Sequence, residues 1–122
     1  MDRIKILLVE DEAIIARYLS MELELEGYEV CGYVGSGEEA VEMARSENPD
    51  LILMDIHLSG KMDGIDATEE IQRFKNIPVI FMTGYSRLEY TERARKLNPL
   101  GYFNKPLEVE NIKPLLLKHF EK

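Results

Sequence analysis

Short aliphatic runs alternate along this chain with stretches in which apolar positions return every three or four residues. The runs are Ile4 to Val9, Val30 to Val34, Leu51 to Met54, Ile77 to Met82 and Gly101 to Phe103, and they predict five strands. Between the first two, Ile14, Tyr18, Met21 and Leu25 recur at helical spacing, and Gly27 stands where a helix-ending glycine is expected. Ser36 followed by Glu39 is a capping-box pattern that opens a second helix, and Pro49 marks its end. A third helix carries Ala67, Ile71 and Phe74. A fourth carries only Tyr90, Ala94 and Leu97 among charged residues, so it should be the most exposed. In the last segment Val109, Ile112, Leu116 and Phe120 keep the helical period, but Pro114 removes a backbone donor. Either Asn111 caps a shortened helix or the helix bends.

Strict alternation of strand and helix over short connections predicts an α/β fold, with a parallel sheet covered by helices on both faces and joined by right-handed crossovers. Runs such as Leu51-Ile52-Leu53-Met54 and Val79-Ile80-Phe81-Met82 do not alternate with polar residues, as expected of strands buried on both faces.

Length and charge narrow the function. A chain of 122 residues builds one ordinary core and not two, so residues 1–122 are read as a single domain. A net charge of -8 repels phosphate backbones and anionic lipid surfaces, which argues against direct nucleic acid contact; the basic stretch Arg93 to Lys96 reads as a solvated helix face. No apolar run approaches the roughly 20 residues that span a bilayer, and Ile6 to Val9 is too short for a signal-peptide core, so membrane insertion is not expected. The single cysteine, Cys31, forms no intrachain disulfide and suits a cytoplasmic setting.

Ligands of open parallel sheets bind beyond the carboxyl ends of the strands. Here those ends are polar: Glu10-Asp11-Glu12 after the first strand, Asp55 after the third, Thr83-Gly84 after the fourth and Asn104-Lys105-Pro106 after the fifth. Taken singly, each reads as an ordinary loop residue facing water; four strands ending this way on one edge argue otherwise. With the first strand beside the third, Glu10, Asp11 and Asp55 converge, and like charges this close call for a cation. Oxygen-only ligands suit Mg²⁺ (or Mn²⁺) better than Zn²⁺, which prefers Cys or His, so the His57 side chain is not a ligand candidate. Thr83 and Lys105 offer a hydroxyl and an ammonium to a group placed on Asp55, the donors that phosphoryl transfer needs.

These residues resemble the receiver domains of bacterial and archaeal response regulators over essentially the whole chain. The resemblance rests on Ile6-Leu7-Leu8-Val9-Glu10-Asp11-Glu12, on Asp50-Leu51-Ile52-Leu53-Met54-Asp55-Ile56, on Met62-Asp63-Gly64, on Phe81-Met82-Thr83-Gly84 and on Lys105-Pro106. It implies a doubly wound (βα)5, flavodoxin-like sheet in the order 2-1-3-4-5. It also implies Asp55 as phosphoacceptor, with Glu10, Asp11, Asp55 and the His57 backbone carbonyl serving the metal. Thr83 and Lys105 would hold the phosphoryl oxygens, Thr83 and Tyr102 would switch, and the Lys105-Pro106 bond would be cis. The phosphodonor it implies is a sensor histidine kinase or a histidine phosphotransfer protein. The output is a downstream protein or output domain gripped by the surface of the fourth helix, fifth strand and fifth helix; a phosphorylation-dependent homodimer is left open. No turnover of a small molecule is expected.

Two departures from the family pattern bear on this reading. The loop after Asp55 has Ser59 where proline is common and one extra residue, and Gly84 replaces the usual alanine or serine. His57 and Tyr85 occupy the positions that modulate phosphate lifetime in the family; His57 otherwise reads as an exposed loop residue, and His119 as helix surface. The chain stops at Lys122, which fits either a free-standing receiver or an excerpt of a larger regulator.

Three other readings compete. A phosphohydrolase using Asp55 as nucleophile would place a second Asp where His57 stands and would carry a cap segment. A flavin or nucleotide module would need a glycine-rich phosphate loop after the first strand, where Glu10-Asp11-Glu12 lies. A degenerate receiver serving only contact would not need the intact Glu10, Asp11, Asp55, Thr83 and Lys105.

Overall fold

The computed structural model describes residues 3–84 and 88–120. Strands and helices alternate as β1 (Lys5–Val9), α1 (Ala13–Leu25), β2 (Glu29–Val34), α2 (Gly37–Glu47), β3 (Leu51–Asp55), α3 (Gly64–Gln72), β4 (Val79–Thr83), α4 (Leu88–Arg95), β5 (Gly101–Asn104) and α5 (Val109–Phe120). The strands pair in parallel in the order β2-β1-β3-β4-β5, the doubly wound arrangement that the pattern and the resemblance imply.

Two cores lie on opposite faces of the sheet, because successive strand residues point to opposite sides. Ile6, Leu8, Leu51, Leu53, Ile80 and Met82 pack on one side with α1 and α5. Leu7, Val9, Ile52, Met54, Val79 and Phe81 pack on the other with α2, α3 and α4. The interior strand β3 is buried along its whole length, whereas the edge strands β2 and β5 are largely half-buried. The carboxylate at the end of β3 is therefore delivered into a low-dielectric setting.

The helix boundaries have local causes. Ser36 accepts from the Glu39 amide at 3.2 Å and caps α2 as expected, while Asn48 ends it in a left-handed conformation at φ 51°. Gly27, at φ 96°, closes the end of α1 where a side chain would be strained. In α5 the shortened-helix alternative fails. The helix opens at Val109 and runs on through Pro114, which sits exposed in its second turn, and Asn111 lies within it instead of capping it.

Helix α1 forms where the periodicity places it, but the stripe that marks it turns away from the sheet. Ile14, Tyr18, Met21 and Leu25 are 86%, 54%, 60% and 79% exposed, and the packed face is Ala16, Leu19 and Leu23. At about 100° per residue the two sets lie on opposite sides of the helix. Spacing tells which residues share a face and not which face meets the sheet. Helix α4 buries only Ala94, in keeping with its charged sequence.

Candidate phosphoacceptor site

The side chains brought together at the carboxyl edge come from three strand ends. Asp55 is the last residue of β3 and stands in register with Met82, one residue before Thr83. Glu10 follows β1 and is held there by its amide, which donates to the Val34 carbonyl at 2.9 Å. Lys105 follows β5, its amide donating to the Thr83 carbonyl at 2.8 Å, and the Lys105-Pro106 peptide is cis. Among the described residues four polar side chains are buried, and Glu10, Asp55 and Thr83 are three of them. Burying polar groups costs free energy unless they are partnered, so this concentration marks the edge as built for charge chemistry.

Lys105 ties the carboxylates together. Its Nζ donates to Asp55 Oδ2 at 2.8 Å and lies 2.6 Å from Glu10 Oε1 as an ion pair. Asp55 Oδ1 accepts from the His57 amide at 3.1 Å, and Glu10 Oε2 from the Glu12 amide at 3.0 Å. Burial pushes the Asp55 carboxyl up to about 6; its hydrogen bond to Lys105 opposes that rise and the charge of Glu10 adds to it. Burial pulls the Lys105 ammonium down, but Asp55 and Glu10 outweigh it and its pKa ends above the ordinary value.

Glu10, Asp11 and Asp55 offer one oxygen each within 4.8 Å of one another, so this acidic group can hold a metal ion. Three carboxylates against one ammonium leave an excess of negative charge. Buried Glu10 Oε1, though beside the ammonium, makes no hydrogen bond of good geometry, and it is a ready ligand atom.

The loop above the site is tied down at several points. Ser59 bridges to Ser36. Asp63 and Asp66 form a reciprocal capping box at the start of α3, at 2.8 and 3.1 Å. Gly64 packs so tightly on β3 that a Cβ there would lie 2.0 Å from the Asp55 carbonyl oxygen. Met62-Asp63-Gly64 is thus a joint between α3 and the end of β3, and only glycine fits its third position.

Tyr102 does not join the cluster. It packs half-buried on the side of α2, α3 and α4, and its hydroxyl accepts from Thr91 Oγ1 at 3.3 Å. His57 departs from the reading of an exposed loop residue. It is half-buried, and its ring meets that of Tyr90 edge to face, with centroids 4.8 Å apart at 87°. His119 is helix surface as expected. Tyr85 lies outside the described residues.

Sequence reasoning missed Tyr90 as a neighbour of the site and Arg93 as its companion. Arg93 reaches Asp66 Oδ1 at 3.0 Å and Asp63 Oδ2 at 3.4 Å. The only signal was that both belong to a helix with almost nothing to bury.

Comparison with known proteins agrees with this geometry. The family model for the response regulator receiver domain matches residues 6–116. The transcriptional regulatory protein PdtaR of Mycobacterium tuberculosis is 38% identical over 112 residues, covering 92% of this chain and 54% of that protein. The chain thus spans about half the length of that relative. Sporulation initiation phosphotransferase F of Bacillus subtilis is 33% identical over 116 residues, covering 94% of this chain and 92% of that protein. Among solved structures, the signal receiver domain of a modulated diguanylate cyclase from Desulfovibrio desulfuricans superposes with a TM-score of 0.89 at 36% identity, covering 96% of this chain and 93% of that one. The chain belongs to the response regulator receiver family of two-component systems. Proteins of this family act as phosphoacceptors, interact with histidine kinases or phosphotransfer proteins and with output domains, and typically switch on phosphorylation. Among the described residues no helix is long and apolar enough to cross a membrane.

Proposed function

We propose that residues 1–122 work as one receiver domain whose phosphoacceptor is Asp55. The observation that carries the reading is the Lys105 ammonium set 2.8 Å from Asp55 Oδ2 and 2.6 Å from Glu10 Oε1, at a buried strand end. In the proposed step an Asp55 carboxylate oxygen attacks the phosphorus of a phosphohistidine on a sensor histidine kinase or histidine phosphotransfer protein. The P–N bond breaks as the P–O bond forms, and the imidazole nitrogen keeps the electron pair and takes a proton from solvent. Lys105 and the Thr83 hydroxyl hold phosphoryl oxygens as charge builds on them. Mg²⁺ or Mn²⁺ held by Glu10, Asp11, Asp55 and the His57 carbonyl would supply the positive charge that lets anionic groups approach one another. Loss of the group to water would be self-dephosphorylation, and no dedicated small-molecule substrate is expected.

The exposed stripe of α1 supports a helical phosphodonor. Ile14, Tyr18, Met21 and Leu25 follow the 4-3-4 spacing of a coiled-coil seam, and the stripe begins three residues after Asp11, at the mouth of the site. A partner helix laid along it is aimed at Asp55. On the output side, α4 is lightly buried and Thr91 links it to Tyr102, which supports Thr83 and Tyr102 as switch residues and the surface of α4, β5 and α5 as the seat of a downstream protein or output domain. The free Cys31 fits a cytoplasmic setting.

The test is incubation with acetyl phosphate and Mg²⁺ followed by intact mass. A phosphate-sized adduct on the parent, absent with Asp55→Asn or with chelator, is expected. An adduct of equal yield on Asp55→Asn would refute the assignment.

A further inference from the structure

Helix α4 is fixed less by burial than by side chains that reach the segment carrying His57. Tyr90, in its first turn, is half-buried against the His57 ring. Arg93, three residues on and therefore on the same side, forks to Asp63 and Asp66 where that segment enters α3. His57 is tied to the site through its backbone: its amide donates to Asp55 Oδ1 at 3.1 Å, which sets the residue that carries the ring next to the carboxylate.

From this geometry we infer that Tyr90 is a positioning residue that sets the lifetime of the phosphorylated state by holding the His57 ring at the mouth of the site. The inference rests on Asp55 as phosphoacceptor. Loss of the phosphoryl group requires a water oxygen to attack phosphorus in line with the Asp55 oxygen; the P–O bond to Asp55 breaks, the carboxylate leaves with the electron pair, and inorganic phosphate departs after the water gives up a proton. A ring held against Tyr90 at one edge of that approach excludes water more of the time than one free to rotate out. Edge-to-face pairing fixes the orientation of both rings and needs no Tyr90 hydroxyl, so phenylalanine should serve as well as tyrosine. Arg93 supports the arrangement by keeping α4 against the same segment, and the ring contact of Tyr90 is with His57.

The experiment follows decay of the acetyl-phosphate-labelled protein by intact mass after donor removal, for the parent, Tyr90→Phe, Tyr90→Leu, Tyr90→Ala, His57→Ala and the His57→Ala/Tyr90→Ala double variant, with circular dichroism as a check on folding. Tyr90→Ala and Tyr90→Leu should shorten the lifetime by about threefold to tenfold, and Tyr90→Phe should leave it unchanged. His57→Ala should shorten it as much, and the double variant no further. Tyr90→Leu keeps apolar bulk, so its loss of lifetime separates ring orientation from packing. Equal lifetimes in the parent and Tyr90→Leu, or the same Tyr90→Ala effect with His57 already removed, would overturn the inference while leaving Asp55 as acceptor. Absence of an adduct from every protein would overturn both.

Discussion

The Lys105 ammonium donates a 2.8 Å hydrogen bond to Asp55 Oδ2 across 50 residues of chain, and this contact ties the segment after β5 to the end of β3, past the intervening β4. Lys105→Met removes the positive charge and leaves Glu10 and Asp55 buried together. In metal-free buffer the variant should lose about 1–3 kcal/mol near pH 8. Much of that loss should vanish near pH 4, where the Asp55 carboxyl, whose pKa lies near 6, is protonated. Denaturant unfolding at the two pH values measures the difference.

Asp55→Asn should act in the opposite direction. The native Asp55 pKa lies near 6, above its ordinary 3.8, so the folded state binds this proton more tightly than the unfolded one. Its contribution to stability is fully present below pH 3.8 and is lost as the pH rises through 6. Asparagine removes that loss, and in metal-free buffer at pH 7.5 the variant should be more stable by about 1–3 kcal/mol. Urea titrations between pH 4 and 7.5 should show a shallower pH slope for the variant.

Two glycines should answer oppositely to alanine. Gly64→Ala drives a Cβ into the Asp55 carbonyl oxygen, and the shift it forces at the end of β3 should cost about 3 kcal/mol or more and abolish labelling. Among the described residues nothing lies within 4 Å of where a Gly84 Cβ would stand, and its φ lies outside the left-handed region. Gly84→Ala should therefore stabilise by about 0.4–1 kcal/mol through the unfolded chain. Thermal melts and acetyl phosphate labelling of both variants check the contrast.

The two faces of α1 should separate folding from partner contact. Leu19 is buried, and Leu19→Ala should cost about 2–5 kcal/mol. Ile14→Ser and Leu25→Ser lie on the exposed stripe and should change stability by less than about 0.5 kcal/mol. The stripe variants should accept phosphate normally from acetyl phosphate and poorly from a phosphorylated histidine kinase domain, as phosphate transfer assays would show.

What the sequence made legible followed from local periodicity and from chemistry at strand ends. Five strands, their helices, the Ser36 cap and the convergence of Glu10, Asp11, Asp55 and Lys105 all belong to that class. Properties that depend on tertiary orientation were not legible. Ile14, Tyr18, Met21 and Leu25 mark a helix equally well whichever way it is rotated. The Tyr90 to His57 contact joins residues 33 apart whose types carry no mutual signal. Pro114 shows a limit of a different kind: a missing donor in an exposed second turn is tolerated because α5 is held by Ile112 and Leu116 in the core.

The most direct test of the central claim is residue-level mapping of the phosphoryl group. Acetyl-phosphate-labelled protein is reduced with borohydride, which converts an aspartyl phosphate to homoserine, and its peptides are sequenced by mass spectrometry. Homoserine at position 55 and at no other aspartate is the predicted result. Reduction at another aspartate, with residue 55 unchanged, would contradict the account.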